Sequence, residues 1–217
     1  MKKAAAMLLS LMLLFSVSAC TNQNKTDMEN NSASESADSS GIEGTKEEAI
    51  NNSSEESKSL IIYFSCTGNT KLVAEEIAAQ TGAELYEIIP EVPYTEDDIN
   101  YRDDSCRANQ EMNNENARPT ISGTIDNLSE YDKLYIGYPI WWGTMPKILN
   151  TFFDAYDLSG MTIMPFCTSG GSGISESVET IREIEPNAEV KEGLRVGSGT
   201  ASDCADFVSD WLTESGT

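Results

Sequence analysis

Leu60-Ile61-Ile62-Tyr63-Phe64 runs without a polar residue into Ser65-Cys66-Thr67-Gly68-Asn69-Thr70. A short, unbroken, β-prone apolar run marks a strand buried on both faces of a parallel sheet. A helix follows over 70–80, with Leu72, Val73, Ile77 and Ala78 at helical spacing and Gly82 as its stop. The junction is a turn of hydroxyls and one amide around a glycine, set where a helix N-terminus offers unpaired N–H groups.

Working outward, further strands are expected at 85–89, 134–138, 161–166 and 190–196, and helices at 146–155, 174–184 and 202–212. Strands alternating with helices imply a parallel sheet with right-handed crossovers and helices on both faces. The stretch 91–132 is too long for a plain connection; a crossover helix is expected within 95–112, then an irregular passage through Arg118-Pro119. No internal repeat is evident.

The domain so outlined occupies 59–217, a size suited to one core. Residues 1–19 have the anatomy of an export signal: Lys2 and Lys3, an apolar run from Ala4 to Val17, then Ser18 and Ala19 before Cys20. The run is shorter than the roughly 20 residues that span a bilayer. Residues 21–58 are rich in Asn, Ser and Glu, with Met28, Ile42 and Ile50 as isolated apolar residues. Such a segment cannot bury enough apolar surface to offset the entropy of ordering, and it reads as a disordered tether. Its root-mean-square reach is about 35 Å.

The chain carries a formal net charge of −22. The domain alone holds 27 acidic and nine basic residues. This argues against nucleic acid as a partner and against a polyphosphate site built from Lys and Arg. It fits either a solubilising surface or docking with a basic redox partner. With no histidine, Ser-His-Asp and Cys-His nucleophile systems and imidazole metal ligation are excluded. Cys66, Cys106, Cys167 and Cys204 form no C-x-x-C pair, so no metal site is indicated.

In open sheets of this kind ligands sit beyond the C-terminal ends of the strands. Three loops lie there. The first, Ser65 to Thr70, lacks both the G-K-[ST] ending of a triphosphate loop and the glycine spacing of a dinucleotide loop; a monophosphate fits it, as does a plain helix cap. The second, Pro139-Ile140-Trp141-Trp142-Gly143-Thr144, offers aromatic area for stacking and a glycine for close backbone approach. One of the two tryptophans is expected to pack beneath the next helix. The third, Thr168-Ser169-Gly170-Gly171, is donor-rich, suited to a heterocycle's polar edge or to a simple glycine turn. Together the three describe a site for a mononucleotide with a flat ring, FMN.

On these residues the chain resembles the flavodoxin-like superfamily, specifically its branch of bacterial flavodoxins and quinone-reductase relatives. The resemblance implies a three-layer α/β sandwich with a five-stranded parallel sheet in the order 2-1-3-4-5. It implies that Ser65, Thr67, Gly68, Asn69 and Thr70 hold the FMN phosphate. Pro139, Ile140, Trp141, Trp142, Gly143 and Thr144 would line the ring system, and Thr168, Ser169, Gly170 and Gly171 would take its pyrimidine edge. The family's tyrosine platform in the third loop is missing, leaving one ring face open or covered by Tyr94, Tyr101 or a second subunit. Cys66 and Cys167 are expected to be small spacers beside the flavin, with no catalytic acid or base assigned.

Val17-Ser18-Ala19-Cys20 likewise resembles a bacterial lipobox. This implies cleavage before Cys20 and its lipidation, with the domain held on the extracytoplasmic side of the cell membrane; an ordinary export signal is the alternative. Three functions follow: electron transfer with an unknown redox partner, FMN-dependent reduction of quinones or related acceptors by a nicotinamide nucleotide, or a cofactor-free binding lipoprotein. Cells producing the full chain and fed labelled palmitate should incorporate label into the protein, and Cys20→Ser should abolish it. Equal labelling of both would remove the lipoprotein assignment.

Overall fold

Residues 57–216 are described by a computed structural model of the chain. The expected export signal at 1–19, Cys20 and the expected tether as far as residue 56 lie outside the described residues.

Strand β1 (Ser59–Tyr63) leads to helix α1 (Asn69–Thr81), and β2 (Glu84–Glu87) returns beside β1. After a short ribbon of β3 (Ile89–Pro90) with β4 (Ile121–Ser122), interrupted by α2 (Arg107–Met112), the chain enters the central β5 (Lys133–Pro139). Next come α3 (Lys147–Ala155), β6 (Thr162–Ser169) and α4 (Ser175–Ile184). The short β7 (Glu189–Val190) and β8 (Leu194–Gly197) precede α5 (Ala205–Glu214). The main sheet is parallel in all its pairings, in the order β2-β1-β5-β6, with β7 and β8 both on the far side of β6. This is the expected α/β sandwich, with one difference of strand count.

The expected strand at 190–196 is two strands in one position. Between the pairs Ile163↔Val190 and Phe166↔Leu194, the two β6 residues Met164 and Pro165 face the three residues Lys191, Glu192 and Gly193. Pro165 has no N–H for a ladder, and an extra residue on the opposing strand is a bulge. The Glu192 carbonyl accepts from Trp211 Nε1 at 3.0 Å, and Gly193 is pressed so close to Ile174 that a Cβ would come within 2.6 Å of it.

Alternate residues of the central strands feed two cores. Ile62, Phe64, Ile136, Tyr138 and Ile163 pack with Ile148, Phe152, Val178 and Ile181 of α3 and α4. Ile61, Tyr63, Tyr135, Met164 and Phe166 pack with Val73 and Ile77 of α1 and Val208 and Trp211 of α5. Burial on both faces is why these strands read as continuous apolar runs.

Other boundaries moved for local reasons. The buried face of α1 is Thr70, Val73, Ala74 and Ile77, while Leu72 is 42% exposed. Gly82 ends α1 in the left-handed conformation (φ 73°), its N–H bonding Ala78 O. The expected strand at 85–89 divides into β2 and β3, and Ile88 N bonds Tyr63 O between them. The crossover helix expected within 95–112 is the short α2, capped by Cys106 Sγ. A 3₁₀ segment, Ser198–Asp203, takes the start expected of the last helix.

Gly137 on β5 is compelled by packing: a Cβ there would lie 2.1 Å from the Phe166 ring on the paired strand. Gly137→Ala should destabilise the domain by about 3 kcal/mol, the upper part of the usual overpacking range, measured as a lower urea midpoint at unchanged slope. Wild-type stability in the variant would mean that the β5–β6 contact is looser than described.

Candidate functional site

Because β1, β5 and β6 run parallel, their C-terminal ends deliver the three predicted loops to one edge of the sheet. Hydrogen bonds tie the loops together. Ile140 N donates to Thr168 O at 2.9 Å, joining second and third, and the Thr70 and Thr168 hydroxyls bond at 2.9 Å, joining first and third.

In the first loop Gly68 adopts φ 85° and serves as the N-cap of α1 without any side-chain capping bond. A Cβ at Gly68 would meet open space, so the glycine answers to backbone conformation alone. The N–H groups of Gly68, Asn69 and Thr70 find no acceptor among the described residues. The loop's side chains are only partly engaged: Ser65 Oγ accepts from Lys71 N at 3.4 Å, and Asn69 Nδ2 donates to Thr67 Oγ1 at 3.2 Å. Thr70 differs from its sequence reading, since its hydroxyl is buried and acts as a strut to Thr168. What faces outward is an uncapped helix start carrying the donors an anion requires.

The second loop is a tight turn. Trp141 N bonds Thr144 O at 2.9 Å and Thr144 N bonds Trp141 O at 3.1 Å. Trp142 (φ 48°) and Gly143 (φ 91°) occupy its centre, with the φ signs of a type I′ turn. Trp142 is the single non-glycine at positive φ among the described residues, a strain on the order of 1–2 kcal/mol. The residue is 44% exposed, and the Trp142 and Gly143 N–H groups have no acceptor among the described residues. The Thr144 hydroxyl is shut from solvent without a hydrogen-bond partner among the described residues.

Trp141 is the partner that packs inward. Its ring meets Phe64 edge-on at 5.7 Å and Tyr94 at 5.2 Å, and Phe64 meets Tyr94 at 5.7 Å. Tyr94 is not free to cover a ligand: its hydroxyl donates to Glu111, whose other oxygen pairs with Arg107 Nε at 2.7 Å. The Arg107 guanidinium lies 4.0 Å from the Tyr94 ring centre. Burial, followed by the bond to Glu111, pushes the Tyr94 phenol far above its ordinary range. Glu111 and Arg107 escaped the sequence reading, because nothing in the stretch 91–132 signals which of its charges meet.

In the third loop Thr168 and Ser169 are buried, and Gly170 and Gly171 face solvent. The Ser169 hydroxyl donates to Ser172 O, while Arg195 donates from Nε to Ser169 Oγ at 2.9 Å and from Nη2 to Ser169 O at 3.2 Å. Arg195 carried no sequence signal beyond membership of a strand. The nearby thiols are quiet: burial pushes Cys66 up to about 12 against the pull of Arg107, and Cys167 up to about 12 against that of Arg195. Neutral, shielded thiols are poor nucleophiles. Beside the second loop an open pocket of about 400 Å³ is lined by Ile99, Tyr101, Ile140, Trp141 and Trp142. Its walls are apolar and aromatic, a lining suited to a flat ring.

The arrangement fits a phosphorylated flat heterocycle: donors for one anion, an orphaned hydroxyl, an exposed aromatic edge and free backbone N–H groups. Comparison with known proteins points the same way. No curated protein matches the chain. A candidate flavoprotein of Bacteroides eggerthii is similar in structure, at 38% identity and a TM-score of 0.69, over 74% of this chain and 99% of that one. A second, from Bacteroides uniformis, has 34% identity and a TM-score of 0.68 over 72% and 98% of the two chains. A flavoprotein of Lactobacillus acidophilus, solved in complex with FMN, has 26% identity and a TM-score of 0.56 over 71% and 98%. The flavodoxin family model matches residues 58–214. Taken with the three loops at one edge of the parallel sheet, these likenesses place the chain in the flavodoxin family.

Proposed function

We propose that this protein is an FMN-binding flavodoxin that transfers electrons at the extracytoplasmic face of the cell membrane, held there by lipid on Cys20. The observation that carries FMN binding is the uncapped start of α1, where Gly68 adopts φ 85° and the Gly68, Asn69 and Thr70 N–H groups have no acceptor among the described residues. Neutral hydroxyl and amide donors there hold a phosphate without lysine or arginine, in keeping with an acidic domain. The FMN complex of the Lactobacillus acidophilus relative supports the same assignment.

Bound FMN supplies one- and two-electron redox chemistry at its ring system. The chain's part is to bind and orient it. Gly68, Asn69 and Thr70 N–H groups take the phosphate, assisted by the side chains of Ser65, Thr67 and Asn69. Ile140, Trp142 and Gly143 would hold the ring, and the Trp142 and Gly143 N–H groups, without an acceptor among the described residues, would donate to its heteroatoms. The Thr144 hydroxyl gains the partner it lacks, and the amides of Gly170 and Gly171 take the pyrimidine edge. The 27 acidic residues of the domain favour a basic redox partner and quicken encounter with it.

One observation favours a second reading, an FMN-dependent oxidoreductase. The third loop, Thr168 to Gly173, carries no aromatic residue to cover the ring's second face, so a planar small molecule can stack there and the ring need not await a protein. Adding NADH or NADPH without oxygen to the full chain saturated with FMN separates the two. Flavin that stays oxidised with both, yet bleaches with dithionite, is the expected result for an electron carrier. Rapid bleaching by either nucleotide establishes a reductase. Absence of any FMN binding leaves the cofactor-free lipoprotein.

Thr144→Val tests the orphaned hydroxyl. Removing an unsatisfied buried group should leave the FMN-free protein as stable or about 1 kcal/mol more stable, while FMN affinity falls roughly tenfold for one lost hydrogen bond. Unchanged affinity by fluorescence titration would take Thr144 out of the site.

A further inference from the structure

Arg195 is a cation without a carboxylate. Of the ten described basic residues five form ion pairs, and Arg195 is among the five that do not, despite the 27 acids of its domain. Its bonds go instead to one residue of the third loop, to the hydroxyl and the carbonyl of Ser169. The guanidinium is planar and permanently charged, and two of its five donors suffice for that grip. Ser169 is buried, so the loop is clamped between Arg195 on one side and the Thr168–Thr70 hydroxyl pair on the other. The charge is felt at the end of β6, where it opposes the effect of burial on Cys167. Elsewhere in the site a carboxylate approaches the second loop: Glu176 Oε2 would lie 3.4 Å from a Cβ on Gly143. A negative group therefore stands beside the second loop and a positive one on the third.

We propose that Arg195 is a positioning residue that holds the third loop and sets a fixed positive charge behind the ring's polar edge, favouring reduced over oxidised FMN. This rests on the FMN reading above. Uptake of two electrons and one proton leaves one added negative charge on the ring system. A cation held close by stabilises that charge, and a protein group of this kind shifts the potential upward. The acidic surface acts in the opposite sense, but its charges are dispersed and screened by salt beyond about 10 Å. Arg195, though solvent-exposed, is held by its two bonds to Ser169, so its charge acts at short range on the third loop.

The test compares the full chain with Arg195→Gln, Arg195→Met and Arg195→Lys. FMN affinity is measured for the oxidised form by fluorescence titration, and the two-electron potential by titration with dithionite. The two neutral variants should bind oxidised FMN within about threefold of wild type, but reduced FMN roughly tenfold more weakly, which is about 30 mV of lowered potential. Arg195→Lys should keep the wild-type ratio. Two neutral variants are used so that a folding defect in one, seen by circular dichroism, leaves the other to decide. Neutral variants with the wild-type ratio of oxidised to reduced affinity overturn the inference and leave FMN binding intact; so does an equal loss of both affinities. A wild-type chain that binds FMN in neither state overturns the cofactor reading and this inference with it.

Discussion

Parallel pairing of β1, β5 and β6 is the constraint on which the rest of the molecule depends. Parallel strands all end at the same edge, and each hands the chain to a crossover before its neighbour begins. The register Tyr63↔Gly137 and Gly137↔Phe166 brings the three strand ends level. Gly137 makes this possible, since the Phe166 ring occupies the space its side chain would need. Given that alignment, the loops after the three strands meet without any further device. Two hydrogen bonds, Ile140 to Thr168 and Thr70 to Thr168, then lock them into one surface.

The second loop shows how packing supports a strained turn. Trp142 at φ 48° costs on the order of 1–2 kcal/mol. The three edge-on contacts among Phe64, Tyr94 and Trp141 contribute about 1 kcal/mol each beyond their burial, enough to offset it. Tyr94 is in turn held by Glu111 and Arg107 of α2. The long connection 91–132 thus acts as a brace behind the loop. The platform missing from the third loop is not replaced by Tyr94, whose ring is committed to that brace. Tyr101, 70% exposed at the mouth of the pocket, meets the Arg102 guanidinium 5.7 Å from its ring centre.

Charge separates the surface from the site. The domain is strongly acidic, yet the edge proposed to take the phosphate offers backbone N–H groups and hydroxyls, which carry no charge of their own to be neutralised by neighbouring carboxylates. The uncapped helix start supplies the partial positive charge that a lysine would supply elsewhere. Cys66 and Cys167, shielded and protonated, fill space beside the loops without adding charge.

The amino-acid sequence by itself determined the strand–helix alternation and the three loops, because both are local. Continuous, β-prone apolar runs of five residues such as 60–64 and 134–138 read as strands buried on two faces, and Gly68 and Gly143 mark turns that take positive φ. Which tryptophan packs and which is exposed, the division of the last strand opposite Pro165, and the burial of Thr70 were decided by tertiary structure. Each depends on a partner distant in sequence: Tyr94 for Trp141, β6 for the bulge at 191–193, Thr168 for Thr70. Arg195 makes the same point most plainly. In the sequence it is one basic residue among nine in the domain, and only the pairing of β8 with β6 sets its guanidinium on Ser169, because a side chain's electrostatic role is fixed by what the fold brings within its reach.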